Sequence, residues 1–219
     1  MVYMVYGVDA STCTQRVALA FHEKKVPFQF AAIDHYSGEH KSSEFVAKQP
    51  FGRIPYLDDD GFTLFESRAI GRYIASKHPD QGTPLIPTGE KALAKFEEAM
   101  SIEAFNFEAY AYRAVAEGVF KEMFHSGTPD PAVVKGFMDV LSTKLDTYEK
   151  ILSNQKYLAG DTITLADINH LPYGSMLPLL KLDTLENPAR PHVARWWRER
   201  QERPSWQAVK GGVKTQEAY

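Results

Sequence analysis

Between Gly7 and Phe21 the sequence reads GVDASTCTQRVALAF, which sets Ser11, Thr12, Cys13 and Thr14 side by side ahead of a helix-forming run. Groups at a helix start meet unpaired backbone N–H groups and the positive end of the helix dipole, surroundings that favour an anion. A hydroxyl there can donate to a thiolate, and a thiol there can itself become one. Three further stretches carry possible recognition chemistry. GEHKSS (38–43) offers His40 and Lys41, either as a solvated charge cluster or as a receptor for a small acid. GRIP (52–55) offers Arg53 and Ile54 before Pro55, which cannot donate a ladder hydrogen bond. Pro55 is either an ordinary first residue of a strand or the second half of a cis Ile54-Pro55 bond, which would turn the Ile54 backbone outward to pair with an extended peptide. ESRAI (66–70) brings the Glu66 carboxylate and the Ser67 hydroxyl to a helix N-terminus, as an anion site or with Ser67 as a plain N-cap.

Other residues read as structural. In TLAD (164–167), Thr164 and Asp167 have capping-box spacing, with Ile163 and Ile168 as the staple, so Asp167 is expected to hold a helix start rather than to catalyse. Tyr6, at the end of the first strand, is expected to be a packed strand aromatic. The seven histidines lack ligand spacing and there is one cysteine, so no metal is expected. No glycine-rich phosphate loop occurs.

The elements that must position these groups fall into two kinds. VYMVY (2–6) reads as a strand, TQRVALAFHEKK (14–25) as a helix with cations at its C-terminal end, and FQFAAI (28–33) as a second strand. A polar loop follows, then a strand, an Asp60-Gly61 hairpin turn and another strand. Residues 67–78 read as a helix with Ala69, Ile70, Tyr73 and Ile74 on one face. PDQGTPLIPTGE (79–90) is rich in proline and glycine and reads as a linker. Beyond it strand signals fade, and long helical stretches are expected over about 91–125 and 132–153, then shorter helices. The expected division is an α/β domain over 1–80, a linker over 81–90 and an all-helical domain over 91–219.

Composition narrows the function classes. With 44% hydrophobic and 24% charged residues the chain of 219 is an ordinary globular one, and a net charge of −3 supplies no general field for nucleic acid. No apolar run approaches the ~20 residues that span a bilayer, and the opening MVYMVYGVDAS lacks a secretory pattern. The single cysteine fits a reducing compartment, so a cytoplasmic protein without nucleic-acid or membrane partners is expected.

Six motifs in order, ASTCTQRV, GEHKSSEF, QPFGRIPYL, LFESRAI, YLAGDTITLADINHLP and RPSWQAV, resemble those of cytosolic glutathione transferases, and most specifically the phi class of plants and fungi. The resemblance covers nearly the whole chain. It implies a thioredoxin-like N-terminal domain followed by an all-helical one, a homodimer, and conjugation of glutathione, as co-substrate, to small hydrophobic electrophiles, with reduction of organic hydroperoxides as an allied activity. It implies that Ser11 sits beside the glutathione sulfur and that His40 and Lys41 hold the glycyl carboxylate. Ile54 would clamp the cysteinyl backbone, while Glu66 and Ser67 would hold the γ-glutamyl end. Phe51 would dock into the partner subunit. For the electrophile, Thr12 and the helical aromatics Phe107, Tyr110, Tyr112, Phe120 and Phe124 are candidates, the aromatics being equally open to core or dimer roles. Two positions depart from the pattern. Arg53 stands where glutamine is common, adding positive charge to the glutathione-binding group, and Asp9 replaces a proline or small residue before the helix. Two rival functions are a thiol transferase that uses Cys13 and a non-catalytic, ligandin-like carrier.

Overall fold

A computed structural model describes residues 2–125, 127–182 and 184–219. The chain forms two compact units, one running to Ile86 and taking in Arg203–Tyr219, the other Pro87–Glu202. The expected helical domain of 91–219 is therefore too long. Its last segment belongs with the α/β unit, because Arg203 and Ser205 bond the buried Glu23 carboxylate and Gln216 pairs with Phe28. The linker is pinned as well: Leu85 is buried, and Thr83 bonds Glu23 through its hydroxyl and accepts from Lys24 through its carbonyl.

In the first unit, β1 (Tyr3–Gly7), β2 (Phe28–Ala32), β3 (Tyr56–Asp59) and β4 (Phe62–Phe65) form one sheet in the order β2-β1-β3-β4. β1 and β2 are parallel, Tyr3 opposite Phe28, and this demands a crossover. Helix α1 (Thr12–Lys24) supplies it. β3 runs antiparallel to β1 and to β4, the latter across the expected Asp60-Gly61 turn. A short helix α2 (Ser43–Lys48) and helix α3 (Ser67–Lys77) complete the α/β core. α1 and α3 bury Val17, Leu19, Phe21, Ile70 and Ile74 alongside Val5 and Leu57 of the sheet. Each such side chain contributes about 1.5–3 kcal/mol by leaving water. A smaller cluster of Ile33, Phe45 and Tyr56 takes in Tyr6, Ile54 and Phe65. Tyr6 stacks on Tyr56 at 4.5 Å and 9°, the packed role expected of it.

The second unit is helical. Glu90–His125 is a continuous run of α4 (Glu90–Ile102), α5 (Ala109–Val115) and α6 (Lys121–His125), joined by π turns at Glu103–Glu108 and Ala116–Phe120. Each π turn widens the helix, a local shift that the helical period does not reveal in a sequence. α7 (Pro131–Leu152) starts with Pro131 after the Asp130 cap, which accepts from Ala132 N–H at 2.9 Å. The short helices α8 (Leu165–Ile168) and α9 (Leu171–Gly174) and the longer α10 (Pro191–Gln201) follow, while α11 (Pro204–Val209) lies in the first unit. Phe107, Tyr148, His170 and Trp196 make a buried aromatic cluster. The capping box of Thr164 and Asp167 closes as expected. The Asp167 carboxylate accepts from Thr164 N–H and O–H, Leu158 N–H and the Trp196 indole, so it fastens this core.

Candidate functional site

Ser11 is the N-cap of α1. Its extended backbone (φ −67°, ψ 128°) lets Oγ turn back and accept from Thr14 N–H at 3.5 Å. Of the four neighbouring hydroxyl and thiol residues, Thr12 and Thr14 are buried, and only Ser11 and Cys13 are half-exposed. Thr12, at 6% exposure, has little surface to offer an acceptor molecule, contrary to its expected place at the mouth of the electrophile site. Thr14 is sealed against Gly7, where an added Cβ would lie 2.6 Å from its hydroxyl.

The start of α3 is next. Its cap position is Glu66, at φ +70°, and Ser67 is the first helical residue, so Ser67 is not the plain N-cap that its type suggested. The Ser67 hydroxyl instead accepts from Arg16 Nη1 at 2.9 Å, and the same nitrogen reaches Cys13 Sγ at 3.7 Å. Arg16 is 1% exposed. The helical period placed Arg16 only on α1; that it links Cys13 to Ser67 could come only from the packing of α1 on α3. Glu66 is exposed, so its carboxylate is open to a cation.

The Ile54-Pro55 bond is cis. The Ile54 side chain packs with Tyr56, and among the described residues no turn or loop hydrogen bond takes up its backbone N–H or carbonyl. Arg53 is exposed. Lys41 Nζ donates to Gly52 O at 2.6 Å. Gly52 has φ +58°, and a Cβ there would stand 3.0 Å from the Lys41 side chain, so glycine lets the lysine lie across the turn. The His40 imidazole stacks on His35, with centroids 4.2 Å apart and planes within 20°. Burial first, then the neighbouring His35 and Lys41 charges, lower the His40 pKa below its ordinary value. His35 was not singled out from the sequence; an imidazole five residues away in a polar loop gives no periodic signal.

In the helical unit Phe107 is fully buried against His170, which makes it a core ring and removes it from the candidates for an exposed acceptor wall. Tyr112 is 48% and Phe124 42% exposed; Phe120 and Tyr110 are partly buried, and Phe120 packs on Phe124 at 5.6 Å. Phe51, the expected dimer residue, is 65% exposed.

Family models match both halves of the chain: the N-terminal domain of glutathione S-transferase over residues 1–76 and its C-terminal domain over residues 120–204. Glutathione S-transferase 3 of Zea mays is 41% identical over 213 residues, covering 95% of this chain and 93% of its own. The chain belongs to the glutathione S-transferase family. Its relatives are of the phi class, as the motifs implied, and it shares their thioredoxin-like domain followed by a helical one. Glutathione transferase F7 from Populus trichocarpa superposes with a TM-score of 0.89 at 38% identity, covering 96% of this transferase and 98% of that one. Glutathione S-transferase I from maize, solved in complex with an atrazine glutathione conjugate, has a TM-score of 0.85 at 33% identity, with 96% and 97% coverage. No helix among the described residues of this transferase is long and apolar enough to cross a membrane.

Proposed function

We propose that this transferase ionises glutathione through Ser11 and conjugates it to small hydrophobic electrophiles. One observation carries the reading. Ser11 Oγ accepts from Thr14 N–H and Ser67 Oγ accepts from Arg16, so at each serine an internal donor occupies the oxygen. A hydroxyl has one hydrogen to give. The internal donor takes one lone pair of each oxygen and leaves that hydrogen available for an anion. Ser11 donates to the glutathione sulfur and Ser67 to the γ-glutamyl carboxylate. The exposed Glu66 carboxylate takes the ligand's ammonium, the open Ile54 backbone pairs with the cysteinyl unit, and His40 with Lys41 receives the glycyl carboxylate. Lys41 has two further N–H donors beyond the one given to Gly52. Arg53 adds a positive charge beside the tripeptide.

A free thiol with a pKa near ~8.5 is only a few per cent ionised at pH 7. A donated hydroxyl and the α1 N-terminus both favour the thiolate, and lowering the pKa by about two units ionises most of it. The thiolate then attacks the electrophilic carbon, the carbon–sulfur bond forms, and the leaving group departs with its electron pair. Tyr110, Tyr112, Phe120 and Phe124 are the aromatics left to line the apolar acceptor, a reading supported by the maize relative solved in complex with an atrazine glutathione conjugate. The enzyme works as a cytoplasmic homodimer in which the exposed Phe51 docks into the partner subunit. Reduction of organic hydroperoxides uses the same thiolate.

The test is a bound-thiol titration with parallel conjugation and mixed-disulfide assays. Ser11→Ala is expected to cut conjugation roughly 10- to 1000-fold, the range for losing one donor to an anion, and to raise the pKa of bound glutathione. Cys13→Ser is expected to leave conjugation nearly intact, because Cys13 Sγ is turned to Arg16. If Cys13→Ser is the inactive variant, the protein is a thiol transferase; if neither activity is found and apolar ligands still bind, it is a carrier.

A further inference from the structure

The start of α1 is tied on both sides of Ser11 to the C-terminal segment. Before Ser11, the loop of half-buried Val8 and exposed Asp9 and Ala10 receives one hydrogen bond from elsewhere in the chain among the described residues: Val213 N–H to Asp9 O at 3.1 Å. After Ser11, the buried Gln15 side chain donates through Nε2 to Val209 O at 3.3 Å. The segment that makes both contacts is itself anchored. Gln216 and Phe28 exchange two backbone bonds of 2.9 Å, Phe30 N–H reaches Thr215 Oγ1 at 3.0 Å, and Tyr219 meets His22 at 2.9 Å. Val213 is 2% exposed.

Asp9, the residue that departs from the family pattern, fits this arrangement. Its Oδ1 accepts from Ala10 N–H at 2.7 Å. Its Oδ2 faces Gly212, where a Cβ would stand at 3.3 Å on a backbone of φ +118°, so a glycine leaves room for the carboxylate.

We propose that Val213 and Gln15 are positioning residues for the reaction: through Asp9 and Val209 they clamp the start of α1 and so fix the direction in which Ser11 donates. The inference rests on Ser11 being the donor to the glutathione sulfur. A hydrogen bond to a thiolate depends on aim, and misplacing a reacting group by about 1 Å can cost 10²-fold. The contacts on the Glu39–Lys41 turn and on the residues before β3 lie outside α1, and Ser67 is bonded by Arg16, a side chain that both variants below keep.

Two single variants of the full chain test this. Val213→Pro removes the N–H given to Asp9, and Gln15→Leu removes the donor to Val209 while keeping most of the volume. In each, kcat is expected to fall about 5- to 50-fold and the pKa of bound glutathione to rise, while the Kd for S-methylglutathione stays within about twofold. A merely structural role would lower the melting temperature and leave the thiol pKa where it is. If Val213→Pro does not fold, Gln15→Leu decides alone. Folded variants with unchanged kcat and thiol pKa overturn the clamp. Ser11→Ala, run alongside, separates the two readings: if it raises the thiol pKa and the clamp variants do not, the clamp alone falls, and if it leaves the thiol pKa unchanged, both fall.

Discussion

Replacing Ser67 by alanine tests the other serine of the site. Ser67 is 7% exposed and its oxygen accepts from Arg16 at 2.9 Å, and the proposed ligand contact uses its one hydrogen. A hydrogen bond to a charged group is worth ~1.5–3 kcal/mol, and each 1.4 kcal/mol is tenfold. Ser67→Ala should therefore weaken glutathione binding roughly 10- to 100-fold. The variant also deprives the buried Arg16 of an acceptor, which should cost a further ~1–3 kcal/mol of folding stability. The two losses separate experimentally. Calorimetric titration with S-methylglutathione reads binding without thiol ionisation, and thermal unfolding of the ligand-free protein reads stability. Ser67→Thr keeps both the acceptor and the donor and should recover most of the affinity. A folded Ser67→Ala protein with an unchanged Kd would refute the reasoning, leaving Ser67 as no more than the partner of Arg16.

Three further outcomes are expected. Phe51→Ala should shift sedimentation toward a monomer at micromolar concentration, since a buried aromatic anchor is often worth ~2 kcal/mol or more, and a wild type already monomeric would dismiss the dimer. Burial alone would raise the Glu23 pKa, but Arg203, Ser205 and Thr83 outweigh it and hold the carboxyl below its ordinary value; the stabilisation is thus full above the unfolded pKa of ~4.3 and lost as pH falls through the folded one. Glu23→Gln should therefore be less stable at pH 7 by about 3–5 kcal/mol, the cost of breaking a buried pair, and show a flatter acid limb in pH-dependent unfolding. Arg200 is fully buried, with Nε and Nη2 lacking hydrogen-bond partners among the described residues and the guanidinium lying over Trp196. Burial pushes its pKa well down, so Arg200→Met should raise the melting temperature by removing a desolvated cation, and a lower one would mean that the stacking on Trp196 outweighs that cost.

Much of this molecule was legible in the residues themselves. Alternating and helical periods located β1 to β4, α1, α3 and α7 because local backbone preference and one-sided burial agree there. The Asp60-Gly61 turn and the Thr164–Asp167 box were equally readable, since each is closed by residues within a few positions. The family followed from six short motifs in order.

What sequence could not decide are the contacts between residues far apart along the chain. The type of Ser67 suits an N-cap as well as an anion site, and it is the packing of α1 on α3 that makes its oxygen an acceptor for Arg16, 51 positions away. Phe107, Tyr112 and Phe124 are alike as aromatics on one helical run, and only folding makes the first a core ring and leaves the others exposed. The segment after Arg203 reads as more helix, yet Glu23, 180 residues earlier, draws it into the α/β unit through charge-assisted hydrogen bonds that no periodicity encodes. Local propensity and spacing are written in neighbouring residues, whereas the partner of a buried polar atom is set by which elements close over it.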